Sequence, residues 1–294
     1  MESVQAHRLG GRLRRLILRV STMKKFVIAL TALAALTAPA LAADMAPRYA
    51  KAPAPVVPAV SWTGCWISGG GGYGISRTDR DSRDFAAPNA LNVLNNTSGS
   101  DGWLATAGAG CDYQFSGRWV VGAFADGTYS DIKGDHAWRV FGPSATFVGE
   151  SKMDWNWAVG GRIGYLVTPS FLTYFNAGYT QAHTEAYNLR EITTATATGL
   201  TVPGRTFDGF FVGSGFEYQL DFLPGLFVKS EGRASWYDRK DSRLTCTAVG
   251  GRCGAADLGT DPFGNIDSRK MVVYTAKTEL VYRFNWGGPV VAKY

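Results

Sequence analysis

No run of about 20 uninterrupted apolar residues, the length a spanning helix needs, occurs anywhere in this 294-residue chain. Histidine is scarce, with three residues, and cysteine nearly so, with four. No Ser/His/Asp cluster marks a hydrolytic site, and Asp135-His136 is the sole acid–histidine neighbour pair. We therefore expect no enzyme and no catalytic residues. No histidine lies close to a cysteine pair, so no metal site is expected. The glycine run Gly69 to Gly72 lacks the Lys-Ser/Thr that opens a helix after a phosphate loop. A charge excess is also missing once the chain is divided. Of 30 Lys/Arg and 24 Asp/Glu, seven and one lie before residue 43, which leaves 23 of each sign. The formal charge of +6 thus belongs to the first segment and gives no reason to expect nucleic-acid binding.

What is present begins with an export pattern. Lys24-Lys25 precedes the apolar stretch from Phe26 to Ala38, and Ala40-Leu41-Ala42 supplies a small-x-small cleavage site. Residues 1–42 are read as a leader, with the signal peptide from about Met23 and an upstream extension over 1–22. The extension holds Arg8, Arg12, Arg14, Arg15 and Arg19, and it is read as a start-site error or a long basic n-region. Residues 43–61, with Pro47, Pro53, Pro55 and Pro58, read as an Ala/Pro-rich arm on the periplasmic side. Residues 62–294 form the remaining domain, a length compatible with one all-β unit.

Within it, apolar and polar residues alternate in eight segments, near 64–76, 103–115, 118–130, 152–167, 171–183, 207–220, 226–238 and 271–284. Each exceeds the roughly 9–11 residues that a tilted strand needs to cross a bilayer. The connections alternate between short turns (Ser116-Gly117, Thr168 to Ser170, Asp221 to Gly225) and long polar stretches (77–102, 131–151, 184–206, 239–270). One parity is apolar throughout: Ile67, Tyr73, Trp103, Val121, Trp157, Val159, Ile163, Phe175, Val212 and Leu280 lie on it, and no charge does. A Lys or Arg there would cost about 2–4 kcal/mol at a bilayer midplane. Aromatic residues collect at the segment ends. Trp103, Tyr129, Trp155, Tyr179, Trp236 and Tyr274 would form an outer belt, and Phe115, Trp119, Tyr165, Phe171, Tyr218 and Phe284 an inner one.

The opposite parity carries five acids, Asp112, Asp126, Glu217, Glu231 and Glu279, and five bases, Arg162, Lys229, Arg233, Lys277 and Arg283. Charges inside a narrow barrel must pair or hydrate, so a balanced set predicts an ion-pair network that closes the lumen. Counting along the strands places Arg162, Glu231 and Glu279 at one height, Asp112, Glu217 and Lys229 below, and Asp126, Arg233 and Lys277 above. The predicted fold is an eight-stranded antiparallel up-and-down transmembrane β-barrel in a Gram-negative outer membrane. Loops would face outward and both termini the periplasm.

The chain resembles the small outer-membrane β-barrel proteins known as outer-membrane immunogenic proteins, related in architecture to the OmpA-like barrel. The resemblance rests on Ala42-Ala43-Asp44 with the Pro/Ala arm, Trp62-Thr63-Gly64, Gly161 to Tyr165, Gly213 to Tyr218, and the ending Tyr282-Arg283-Phe284-Asn285-Trp286-Gly287-Gly288-Pro289. It implies handling by the barrel-assembly machinery, with Tyr282-x-Phe284 as the terminal aromatic signal, although ten residues follow it here. The sequence departs from the family at Cys65 and Cys111, where an aromatic is usual. Members of the family are described as surface antigens, envelope-stabilising proteins or, in some cases, haem-binding proteins.

Three functions stay open at this level: a monomeric structural, surface-exposed envelope protein whose partner is outer-membrane lipid, a small low-conductance porin, and a haem or ligand binder. No cofactor is expected on the first reading. On the third, His136, His183 and Tyr187 are the candidate ligands. Cys246 and Cys253 read as a disulfide in an oxidising loop. Cys65 and Cys111, on neighbouring strands, form either a cross-strand disulfide or two small lipid-facing fillers.

Overall fold

A computed structural model describes residues 61–84, 91–141, 145–250, 253–259 and 265–284. The leader, the arm up to residue 60 and the ending from Asn285 lie outside the described residues. Eight long strands form the barrel: β1 (Gly64–Asp84), β2 (Leu91–Phe115), β3 (Trp119–Phe141), β4 (Ala145–Thr168), β5 (Phe171–Thr184), β8 (Arg205–Gln219), β9 (Leu226–Arg243) and β11 (Asn265–Phe284). Short strands β6 (Tyr187–Glu191), β7 (Ala197–Val202) and β10 (Thr245–Cys246) lie between them. All pairings of named strands are antiparallel. The order β4-β3-β2-β1-β11-β9-β8-β5 closes through β4–β5 into a ring of eight. No helix of the described residues is long and apolar enough to cross a membrane, which says nothing about crossing by strands.

Closure follows from the sequence in a simple way. Short turns join β2 to β3, β4 to β5 and β8 to β9, and Ser116 and Gly117 both take positive φ in the first of them. Period-2 side chains then point to two different media. Val121, Val159, Ile163, Phe175, Val212 and Leu280 are exposed on the outside, while Val120, Ala158, Leu172, Phe211 and Val281 on the other parity are buried. Ten residues of β3 separate Trp119 from Tyr129. At about 3.3 Å per residue and a tilt near 40°, that is roughly 25 Å, the height of a lipid-facing band. Within each belt, aromatic residues pair across neighbouring strands. Trp119 faces Tyr165 and Phe171 faces Tyr218 below. Tyr73 faces Trp103, and Tyr179 faces Phe210, which faces Trp236, above.

The glycine run on β1 has a specific purpose. A Cβ on Gly70 or Gly72 would lie 2.1 Å from a carbonyl oxygen of β11, Thr278 or Ala276 respectively. The two strands approach so closely there that a side chain has no room.

One expectation needs correction. The stretches 77–102 and 131–151 are mostly strand rather than long loops, and 239–270 is strand at its two ends, because β1–β2, β3–β4 and β9–β11 continue as paired ribbons beyond the outer belt. The remaining stretch, 184–206, holds β6 and β7. Above the lipid, outward side chains are polar, so the hydrophobic alternation fades while the backbone ladder continues. Strands β6, β7 and β10 extend the sheet from β4. They enclose a small core of Phe147, Tyr187, Leu189, Leu200, Val202, Leu244, Cys246 and Cys253. We refer to this unit as the cap.

Candidate functional site in the barrel interior

All ten charges of the inward parity are buried. They form three electrically neutral groups. In the group nearest the short turns, Arg162 and Arg283 each bridge Asp112 and Glu217. Arg162 donates from Nε to Asp112 Oδ1 (2.8 Å) and from Nη1 to Glu217 Oε1 (2.6 Å). Arg283 donates to Asp112 Oδ2 (2.7 Å) and to Glu217. A second group joins Arg233 and Lys277 to Asp126 and Glu231. Arg233 donates to Asp126 Oδ1 (3.1 Å) and Oδ2 (2.6 Å) and to Glu231 Oε1 (2.9 Å). Lys277 Nζ lies 3.5 Å from Asp126 and 3.6 Å from Glu231. Tyr174 and Asn176 donate to the other oxygen of Glu231, at 3.0 and 2.8 Å. The third group is the Lys229–Glu279 pair, with Ser68 donating to Glu279. Every acid therefore has a cation and every cation an acid, as buried charges require.

Sequence counting placed Arg162 level with Glu231 and Glu279; this is corrected. Arg162 pairs with the lower acids, and Glu231 with the upper bases. Strand tilt shifts neighbouring strands relative to each other, so residue counts from the turn do not give height.

Much of the interior is apolar, which alternation alone did not reveal. Trp66, Phe124, Tyr174, Phe211 and Phe227 pack among the charges. Guanidinium faces lie on rings: Arg162 over Trp66 at 4.6 Å, Arg233 over Phe211 at 4.2 Å, and Arg283 over Trp62 at 4.6 Å. Above them, Ile132, Met153, Ala182, Phe207, Tyr237, Met271 and Val273, from six strands, form a buried apolar layer. Apart from Met153, which lies across a register irregularity of β4, these residues lie on the inward parity, and apolar residues on both faces of a strand leave no period to read.

Beyond that layer sits a polar group that sequence reading missed. Arg80 Nε lies 3.0 Å from Asp267 Oδ1, and Arg269 Nε lies 2.9 Å from Asp267 Oδ2. Arg80 also donates to the Tyr187 hydroxyl (2.8 Å). His136, which as a loop residue would be solvated, is only 2% exposed, and its Nδ1 meets the Ser98 hydroxyl. The signal was available: His136 continues the even parity of Asp126, Thr128, Ser130 and Ile132, all inward.

The three candidate haem ligands do not converge. His136 and Tyr187 are neighbours, with ring centroids 6.3 Å apart. His183 lies on β5, flat against Trp155, with Nδ1 2.7 Å from Asp154. Trp155 belongs to the outward parity, so His183 stands apart from the other two candidates. Among the described residues no group of three or more His, Cys, Asp or Glu could hold a metal ion.

Burial, assisted by the positive charges of Arg80 and Arg269, pushes the His136 imidazole down to about 3. The residue lies seven positions beyond the outer-belt Tyr129, above the lipid. A folded-state value below the unfolded one means that the stabilisation is complete above about 6.5 and is lost as pH falls toward 3. Burial raises Asp267, which acts in the opposite sense, so the wild type alone does not isolate the effect. Acidification from pH 7 to 4 is expected to cost wild type about 3 kcal/mol more than His136→Gln, at about 1.4 kcal/mol per pKa unit. Unfolding midpoints of the two proteins across that pH range check it.

Both cysteine pairs are disulfides. Cys246–Cys253 closes a seven-residue separation in the cap. Cys65–Cys111 joins residues directly opposite on β1 and β2, on the outward face near the inner belt. Tyr282 and Phe284 stand outward at the end of β11, edge to face at 5.1 Å.

A closed ring of eight antiparallel strands, apolar outside between two aromatic belts and ion-paired within, defines an outer-membrane β-barrel protein. The chain is 28% identical over 204 residues to the 31 kDa outer-membrane immunogenic protein of Brucella melitensis, covering 68% of this chain and 82% of that one. The protein of the same name from Brucella suis matches equally. No family model matches the chain. Among solved structures it is similar to the outer membrane protein OprG of Pseudomonas aeruginosa (TM-score 0.41, 16% identity, 76% of this chain and 97% of that one). It is also similar to the outer membrane protease OmpT of Escherichia coli (TM-score 0.43, 10% identity, 75% and 97%).

Proposed function

We propose that this protein is a closed, monomeric structural barrel that presents surface to the outside of the envelope and conducts no solute. The observation that carries the reading is the filled interior: three neutral ion-pair groups overlaid by the apolar layer of Ile132, Met153, Phe207, Tyr237 and Met271. A porin lumen is polar and wet, whereas hydrated ions meet here a stack of buried aromatic and aliphatic side chains. The short turns face the periplasm, and the ribbons and cap face outward, following the usual disposition of short and long connections in such barrels. Each strand of the ring is paired on both sides, which leaves no edge within the ring for a second copy. Its partners are then lipid and, during biogenesis, the assembly machinery.

Catalysis is disfavoured at the Ser98–His136 contact of the interior. An imidazole held near 3 beside two guanidinium groups is a weak general base. The immunogenic name of the Brucella relatives suits a protein whose outer surface is accessible. Planar-bilayer recording of the refolded full-length chain tests the reading. The expected record is flat at all voltages. Steady unitary conductance steps, abolished by boiling the sample, would replace the closed barrel with a small pore.

A further inference from the structure

Between the apolar layer and the Arg80–Asp267–Arg269 group lies a cavity with about 20 Å³ of room for the centres of water-sized molecules. That is space for one or two waters. Its polar lining comes from Ser76, Ser100, Ser151, Thr184, His136 and Arg269, and its apolar floor from Ile132, Met153, Phe207 and Met271. Among the described residues no carboxylate lines it.

We propose that this cavity is a binding site for a small monovalent anion, of chloride or bromide size, held by the Arg269 guanidinium and the surrounding hydroxyl groups. Three observations converge on it. Arg269 is 2% exposed, and its Nη2 has no hydrogen-bond partner. A charged donor left unsatisfied in a buried site is costly, and an anion in the adjoining space removes that cost. The Ser76 hydroxyl is likewise buried and unpartnered, so a second donor awaits an acceptor at the same place.

The local electrostatics agree. Burial keeps His136 of the same lining neutral, and the guanidinium groups of Arg80 and Arg269 act on it in the same sense, so their field favours an anion there. The volume selects against sulfate, phosphate and carboxylates, which exceed one or two waters. The apolar floor selects for weakly hydrated ions over fluoride.

The test uses the refolded full-length protein in detergent. Thermal unfolding is followed at constant ionic strength while sodium chloride, or bromide, replaces sodium gluconate, whose anion is too large to enter. The midpoint should rise and saturate with halide. Arg269→Gln should bind at least about tenfold more weakly, the loss of one charged donor. Should that variant fail to refold, Ser100→Val fills the cavity while sparing the Arg269–Asp267 pair, and it should abolish the halide-dependent rise. Crystals grown in bromide should give an anomalous peak beside Arg269 Nη2. Equal midpoints in halide and gluconate, or a bromide-soaked cavity that holds only water, would overturn the proposal.

Discussion

Arg162→Met is expected to destabilise the barrel by about 3–5 kcal/mol, read as a lower denaturant midpoint in detergent. In the wild type, two arginines and two carboxylates hold one another at the base of the interior. Removing Arg162 leaves Asp112 and Glu217, both fully buried at the side chain, facing Arg283 alone. Most of the cost is the charge left unpaired rather than the pair lost. A second substitution that restores neutrality should therefore recover much of it. Arg162→Met with Asp112→Asn keeps one cation and one acid, and it should be more stable than Arg162→Met by about 1 kcal/mol or more. A double variant no better than the single one would mean that Arg162 acts by packing on Trp66 and Tyr174 and not by charge balance.

The second large effect is on the outside. Val159→Arg should cost about 2–4 kcal/mol, because position 159 lies on the outward face midway between Trp155 and Tyr165 of β4, at the depth of the bilayer midplane. The same change at Val121, two residues from the inner-belt Trp119, should cost only about 0–1 kcal/mol, since the guanidinium reaches the headgroups. Refolding equilibria in lipid vesicles measure both. A flat response to depth would indicate that the outer face does not contact hydrocarbon.

The outer face was legible in the sequence because a single medium acts on it. Hydrocarbon rejects charge at every depth between the belts, so Ile67, Val121, Val159 and Leu280 share a rule that any one strand reveals. Inward charges were legible for the complementary reason. Their partners were not. Pairing Arg162 with Glu217 rather than with Glu231 depends on how neighbouring strands are staggered, a property of ring closure rather than of any one segment. The Cys65–Cys111 bond stayed open for a related reason. The β1–β2 ribbon contains irregularities at Arg80 to Arg83, so register at its base could not be counted down from its tip. The apolar layer around Ile132 and Met271 was hidden because lipid-facing and core-facing apolar residues look alike. Arg80 and Asp267 were not legible, and His136 read as a solvated loop residue, because past the belts outward residues turn polar and the contrast between the two faces is lost.

The central claim is that successive residues of one strand meet two different media. A nitroxide scan along β4 from Trp157 to Ile163 in vesicles, comparing collision rates with oxygen and with a water-soluble nickel chelate, measures this directly. The account predicts that oxygen accessibility rises and falls with a period of two, high at 157, 159, 161 and 163 and low between, with nickel excluded from both sets. Accessibility to nickel at 158, 160 and 162 would reveal a wet channel where the structure has a packed interior, and a missing alternation would contradict the barrel itself.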